Sequence, residues 1–128
     1  MRRRDLVRLG GDLLLLSTAS LMLGPRQASA AATFHRVRGA AIANLLAGRE
    51  FSDEVHFTIL FEKGGALRVC SAGRKRSGAW RVDGDELCLD RTGDDHHCFE
   101  VWTAGSRLEL RREASPTEEG VLRHPKVL

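Results

Sequence analysis

A chain of 128 residues allows one domain. The formal charge of +3 is carried by the first 30 residues, because from Ala31 onward 15 Lys/Arg stand against 15 Asp/Glu. A mature domain without net charge gives no electrostatic case for nucleic acid or an anionic membrane as partner.

The chain begins like a secretory signal peptide. Arg2, Arg3 and Arg4 form a charged start, residues 13–23 an apolar run, and Ala28-Ser29-Ala30 a small-x-small cleavage site. The apolar run is shorter than the roughly 20 residues of a spanning helix. No Cys stands near the cleavage site, so no stable membrane anchor is expected. Arg3-Arg4-Asp5-Leu6-Val7 resembles the twin-arginine export signal, and Gly10, Gly11, Asp12 and Arg26 fit that class. The resemblance implies that the domain folds before it crosses the membrane; the other reading is an Arg-rich general secretory signal. Residues 1–30 are therefore read as a signal peptide, cleaved near Ala30, and residues 31–128 as a single small β domain, periplasmic or secreted.

Residues 36–46 read as a short helix, with Val37, Ala41, Ile42, Leu45 and Leu46 near one face. Thr33 is a candidate cap, and Gly48 stands at the left-handed C-terminal position. The period then changes to two. Val55, Phe57, Ile59 and Phe61 mark one strand, and Leu67, Val69 and Ser71 the return after Lys63-Gly64-Gly65. Residues 73–78 read as a basic loop carrying Arg74, Lys75 and Arg76 between glycines. Trp80 and Val82 define a third strand. Asp83-Gly84 is a hairpin turn signal. Leu87 and Leu89 define a fourth strand, and residues 91–95 the next turn.

In the fifth strand, His97, Phe99 and Val101 share the core face, while His96, Cys98, Glu100 and Trp102 share the other. Leu108 and Leu110 mark a sixth strand after Ala104-Gly105-Ser106. Residues 113–120 read as a polar loop. Val121-Leu122 offers a short last strand, and residues 123–128 a tail. The fold class is mainly β: one N-terminal helix plus a curved antiparallel meander of about six strands, a small barrel or half-barrel, monomeric.

A hairpin centred on Gly93 puts Cys88 opposite Cys98, at a separation a disulfide can bridge. Cys70 is the rival partner and one thiol is left over. His96-His97 invites a metal reading, but adjacent strand residues point to opposite faces, and no CxxC, HxxxH or HExxH is present. Ser71 lacks a G-x-S-x-G setting, and the carboxylates at 83–90 flank turns. No catalytic residue, metal or cofactor is expected. Arg74 and Arg76 are candidates for binding an anion, and His96 and Trp102 are the other candidate ligand contacts.

Gly78-x-Trp80-x-Val82-x-Gly84-Asp85-x-Leu87-Cys88, followed by Cys98-Phe99-x-Val101, resembles a pattern in small exported β-proteins of Gram-negative bacteria. Leu45-Leu46-Ala47-Gly48 matches the helix ending that precedes the sheet in that group. The resemblance covers most of residues 36–112 and gives no place to Cys70. It implies a periplasmic β-meander without assigned catalytic residues. The functional expectation is a non-enzymatic exported domain that binds an unknown protein or small ligand. The alternative is a periplasmic protein-inhibitor or envelope-interaction module, of the lysozyme-inhibitor kind, presenting a loop, and the third reading is a metal-binding or enzymatic domain around His96, His97 and Cys98.

Overall fold

The structure, a computed structural model, describes Gly24, residues 32–91 and residues 96–126. The expected signal peptide and its cleavage site, and residues 92–95 of the expected turn, lie outside the described residues. In chain order the described elements are β1 (His35–Val37), α1 (Ala40–Leu46), β2 (Arg49–Ser52), β3 (Phe57–Phe61), β4 (Ala66–Ser71), β5 (Arg74–Asp83), β6 (Glu86–Asp90), β7 (His96–Ala104), β8 (Arg107–Arg111) and β9 (Glu118–Arg123).

From β2 to β9 each strand pairs antiparallel with the next. β9 then returns to β2, with Phe51 opposite Leu122, so eight strands close into a barrel. β1 adds a further strand to β7, Arg36 opposite Trp102. The expected antiparallel meander is present, but it is a closed barrel rather than a half-barrel, and it has more than six strands. β2 and β9 each contribute one fully inward apolar side chain, Phe51 and Leu122, too few to show an alternating pattern.

Alternation decides what the barrel encloses. Ile59 and Phe61, Leu67, Trp80, Leu87 and Leu89, Phe99 and Val101, and Leu108 and Leu110 all bury into one cluster. Each such side chain contributes about 1.5–3 kcal/mol relative to exposure. α1 belongs to the same cluster through Ile42 and Leu46, both 0% exposed. A helix of 7 residues does not persist alone, and burial of these two side chains sustains it. It packs on β5 and β2, and the following Gly48 N–H donates to Phe61 O, so α1 closes the end of the barrel where β3 finishes.

Four local expectations change. The helix starts at Ala40, not residue 36, because Val37 pairs with Val101 as part of β1. Its N-cap is Gly39, with no side-chain cap, so Thr33 has no such role. Val55 stands in a loop, and β3 begins at Phe57. Residues 74–78 are strand, not loop: β4 and β5 are joined by Ala72 and Gly73 alone, between the pair Ser71 and Arg74.

Both turn residues have positive φ, 51° at Ala72 and 73° at Gly73. This is the two-residue turn whose twist matches the flanking strands. Alanine is poorly suited to the first position, because its Cβ crowds the carbonyl in the left-handed region. Ala72→Asn is expected to stabilise the domain by about 0.5–1 kcal/mol, read as a higher urea midpoint at unchanged slope. A midpoint at or below that of the wild type would contradict the turn geometry.

Candidate functional site

The two ends of the barrel are chemically different. At the α1 end the lumen is filled. Phe61 and Trp80 meet edge to face at 5.6 Å, and Trp80 Nε1 donates to Glu62 O at 2.9 Å. At the other end β2, β4, β6 and β8 finish, and the inward positions turn polar. Asp53, Arg74, Arg76, Arg91 and Glu118 there surround a cavity of about 830 Å³ with Phe57, Ile59 and Val69 in its wall. The register explains the two arginines. Arg76 lies opposite Val69 and Arg74 opposite Ser71, so both take inward positions, while Lys75 sits opposite Cys70 and points out.

The charges of this mouth are not equivalent. Arg91 Nη2 bonds Glu118 Oε2 at 2.7 Å, tying the end of β6 to the start of β9. Its guanidinium also lies 5.5 Å from the Phe99 ring centroid. Arg112 lies 5.7 Å from the same ring and donates from Nη1 to His97 Nδ1 at 2.8 Å. Because a guanidinium can only donate, that bond makes Nδ1 an acceptor and leaves the ring proton on Nε2. Arg74 and Arg76 make no hydrogen bond or ion pair among the described residues. Glu119 reaches the rim from the outward side of β9.

Asp53 is occupied by its own loop. Its Oδ1 accepts from the N–H groups of Val55, His56 and Phe57, and Oδ2 meets His56 Nδ1 at 2.8 Å. Desolvation opposes its ionisation, but those hydrogen bonds outweigh it and hold the carboxyl well below the usual carboxylate range. Ser52, 1% exposed, completes the support: its Oγ donates to Phe57 O and accepts from Glu54 N and Thr58 Oγ1.

A carboxyl lowered on folding stabilises the fold above its unfolded pKa, and that contribution is lost as pH falls through the folded pKa. Asp53→Asn is therefore expected to melt below the wild type at pH 7. The gap should begin to close below about pH 4, where the unfolded carboxyl protonates. Melting both proteins from pH 7 to pH 2 checks this, and a gap independent of pH would contradict it.

The remaining candidates lie elsewhere. Cys88 and Cys98 are opposed across β6 and β7 and joined, with Cα atoms 4.0 Å and sulfurs 2.04 Å apart. Cys70 is a free, exposed thiol on the outer face. An internal disulfide suits an oxidising, exported environment, and among the described residues no helix is long and apolar enough to cross a membrane. His96 and Trp102 share the outer face of β7, six positions and about 20 Å apart, so the fold does not bring them together. The Trp102 ring is covered by the Arg111 guanidinium at 4.2 Å. Among the described residues no three His, Cys, Asp or Glu side chains are grouped to hold a metal ion. A second groove, about 550 Å³, runs outside the barrel past His56, Thr58, Cys70 and Arg123.

Sequence reasoning named Arg74 and Arg76 but not Arg91, Glu118 or Phe57 as site residues. Arg91 is signalled by parity, two positions beyond Leu89 on the core face. Glu118 carries the same parity as Leu122. Comparison with protein-family models, curated proteins and solved structures finds no match to this chain.

Proposed function

We propose that this is an exported, non-enzymatic binding domain that takes a small ligand into the open mouth of its barrel. The observation that carries this reading is the cavity of about 830 Å³ at the end opposite α1. Eight strands make a lumen that side chains can fill or that holds one small ligand. Here one end is filled and the other is left open. The cavity is of the size that small-ligand sites have, with an apolar wall and a few polar groups converging on it. In this reading residues 1–30 direct export by the twin-arginine route, and the mature monomer works in the periplasm or outside the cell. The Cys88–Cys98 disulfide supports an exported destination. The pattern from Gly78 to Val101 supports kinship with small exported β-proteins of Gram-negative bacteria.

Native mass spectrometry of protein purified from the exported fraction tests this. It should report a chain shortened near Ala30, one disulfide and a bound small molecule. Val69→Trp, which fills the mouth, should lose the bound species. An empty wild-type protein, or an occupant retained by a folded Val69→Trp variant, would overturn the reading.

One observation favours a second reading, a protein-binding module. The β2–β3 loop is tied down by Asp53 and Ser52, yet presents Val55 79% exposed at its tip. A rigid loop with an apolar tip suits insertion into a partner's cleft. If the partner is a lysozyme, the exported protein inhibits it and Val55→Asp abolishes the inhibition. Full lysozyme activity in about a tenfold excess of wild-type protein would remove the lysozyme-inhibitor form of this reading.

A further inference from the structure

The mouth combines two chemistries in adjoining positions, and this points to what it holds. Resting on the ligand-binding reading above, we infer that the mouth selects an amphiphilic anion: a carboxylate, phosphate or sulfate headgroup on Arg74 and Arg76, with an apolar group against Val69, Ile59 and Phe57.

Arg76, Val69, Ile59 and Phe51 are successive neighbours across β5, β4, β3 and β2. Arg74, Ser71 and Phe57 form the adjoining row nearer the rim. The two guanidinium groups therefore stand at one side of the cavity and the apolar side chains at the other. With strands about 4.8 Å apart, Arg76 and Ile59 are separated by roughly 10 Å. Arg74 and Arg76 lie about 7 Å apart along the strand, so their long side chains can converge on one headgroup.

Arg74 and Arg76 are both exposed and, among the described residues, bonded to no carboxylate, so their donor forks are open to a group arriving from solvent. Of the three carboxylates at the mouth, two are committed elsewhere. Glu118 is bonded to Arg91, and Asp53 accepts three backbone N–H groups of its own loop. Glu119 comes from the outward side of β9. An anion entering from outside is the group that satisfies both arginines, through the planar donor forks suited to carboxylate and phosphate oxygens. The headgroup alone would leave the half-buried Val69 and Phe57 against water, and an attached apolar group covers them.

Calorimetric titration of the exported protein with decanoate, decyl phosphate, decanol and inorganic phosphate, at low ionic strength, tests this. Both amphiphilic anions are expected to bind at least about tenfold more tightly than decanol or phosphate, the effect of one or more charged hydrogen bonds. Arg74→Gln/Arg76→Gln should lose at least about tenfold for both anions, while Lys75→Gln, one position away on the outer face, should bind as wild type. Circular dichroism confirms that each variant is folded. Decanol binding as tightly as decanoate, phosphate binding as tightly as decyl phosphate, or wild-type affinity in the double variant would each overturn the inference. Its failure is distinguishable from failure of the binding reading. A neutral occupant displaced by Val69→Trp sinks the amphiphilic anion and keeps the mouth as a site, whereas decanoate binding unchanged in Val69→Trp sinks both.

Discussion

Gly120→Ala is expected to destabilise the domain by at least about 3 kcal/mol, and a shift of that size would leave little folded protein at elevated temperature. Gly120 lies on β9 opposite Leu108 and faces inward beside the seam where β9 meets β2. A Cβ there would overlap Ser52 O, and would stand 2.7 Å from Phe51 Cε2 and 2.8 Å from Ser52 C. Phe51 is fully buried and cannot swing aside, and the Ser52 atoms are backbone. The added carbon can be accommodated only by parting the two strands that close the barrel. That would also disturb Ser52, whose hydroxyl organises the β2–β3 loop at the mouth. Glu119→Ala, on the outward side of the same strand, is expected to stay within about 0.5 kcal/mol of wild type. Urea unfolding of the two variants is the check, and similar midpoints would show that the seam is not tight at Gly120. Gly78 makes a comparable close approach, since its Cβ would overlap Asp90 O across β5 and β6.

Such seams explain which parts of the fold were legible in the sequence. β3 to β8 could be read because each carries two or more apolar residues at a spacing of two, and burial on one face demands that pattern. Closure could not be read, because it joins β2 and β9, far apart in the chain and each with a single buried apolar side chain. β1 was concealed by coincidence. Val37 fits the helical spacing of Ala41 and Ile42, yet pairs with Val101 in β7. Gly39, with φ 56°, is where the chain leaves the strand and starts the helix.

The candidate site was half legible for a related reason. Arg74 and Arg76 stood out as charges, but Gly73 and Gly78 suggested a loop. Their even numbering matches Trp80 and Val82, and extending β5 backward through Gly78 would have turned them inward. A glycine inside a strand pattern also marks places where another backbone comes close, and Gly78 is such an approach. Arg91 and Glu118 stayed hidden because their meaning lies in a contact across the mouth, between strands remote in sequence.

Removing the disulfide is the other large effect. Cys88→Ala/Cys98→Ala is expected to cost roughly 2.5–3 kcal/mol, the loop-closure term for so short a loop, with a sequence separation of 10. In a domain of this size that lowers the melting temperature by roughly 10–20 °C. Cys70→Ser, at an exposed free thiol, should leave it unchanged. Non-reducing peptide mapping should recover the Cys88–Cys98 pair, and a Cys70-linked peptide would contradict the assignment. The same variant bears on the export route. A protein carried folded by the twin-arginine system must fold where thiols stay reduced, before its disulfide can form. The barrel without its disulfide must then remain folded at 25 °C, with native circular dichroism and only a lowered melting temperature. The physical basis for that is the core cluster, which joins α1 to β2–β9 through buried side chains from Ile42 to Leu122 and stands apart from the disulfide. If the double variant is unfolded at 25 °C, folding must follow oxidation, and the twin-arginine proposal gives way to export as an unfolded chain.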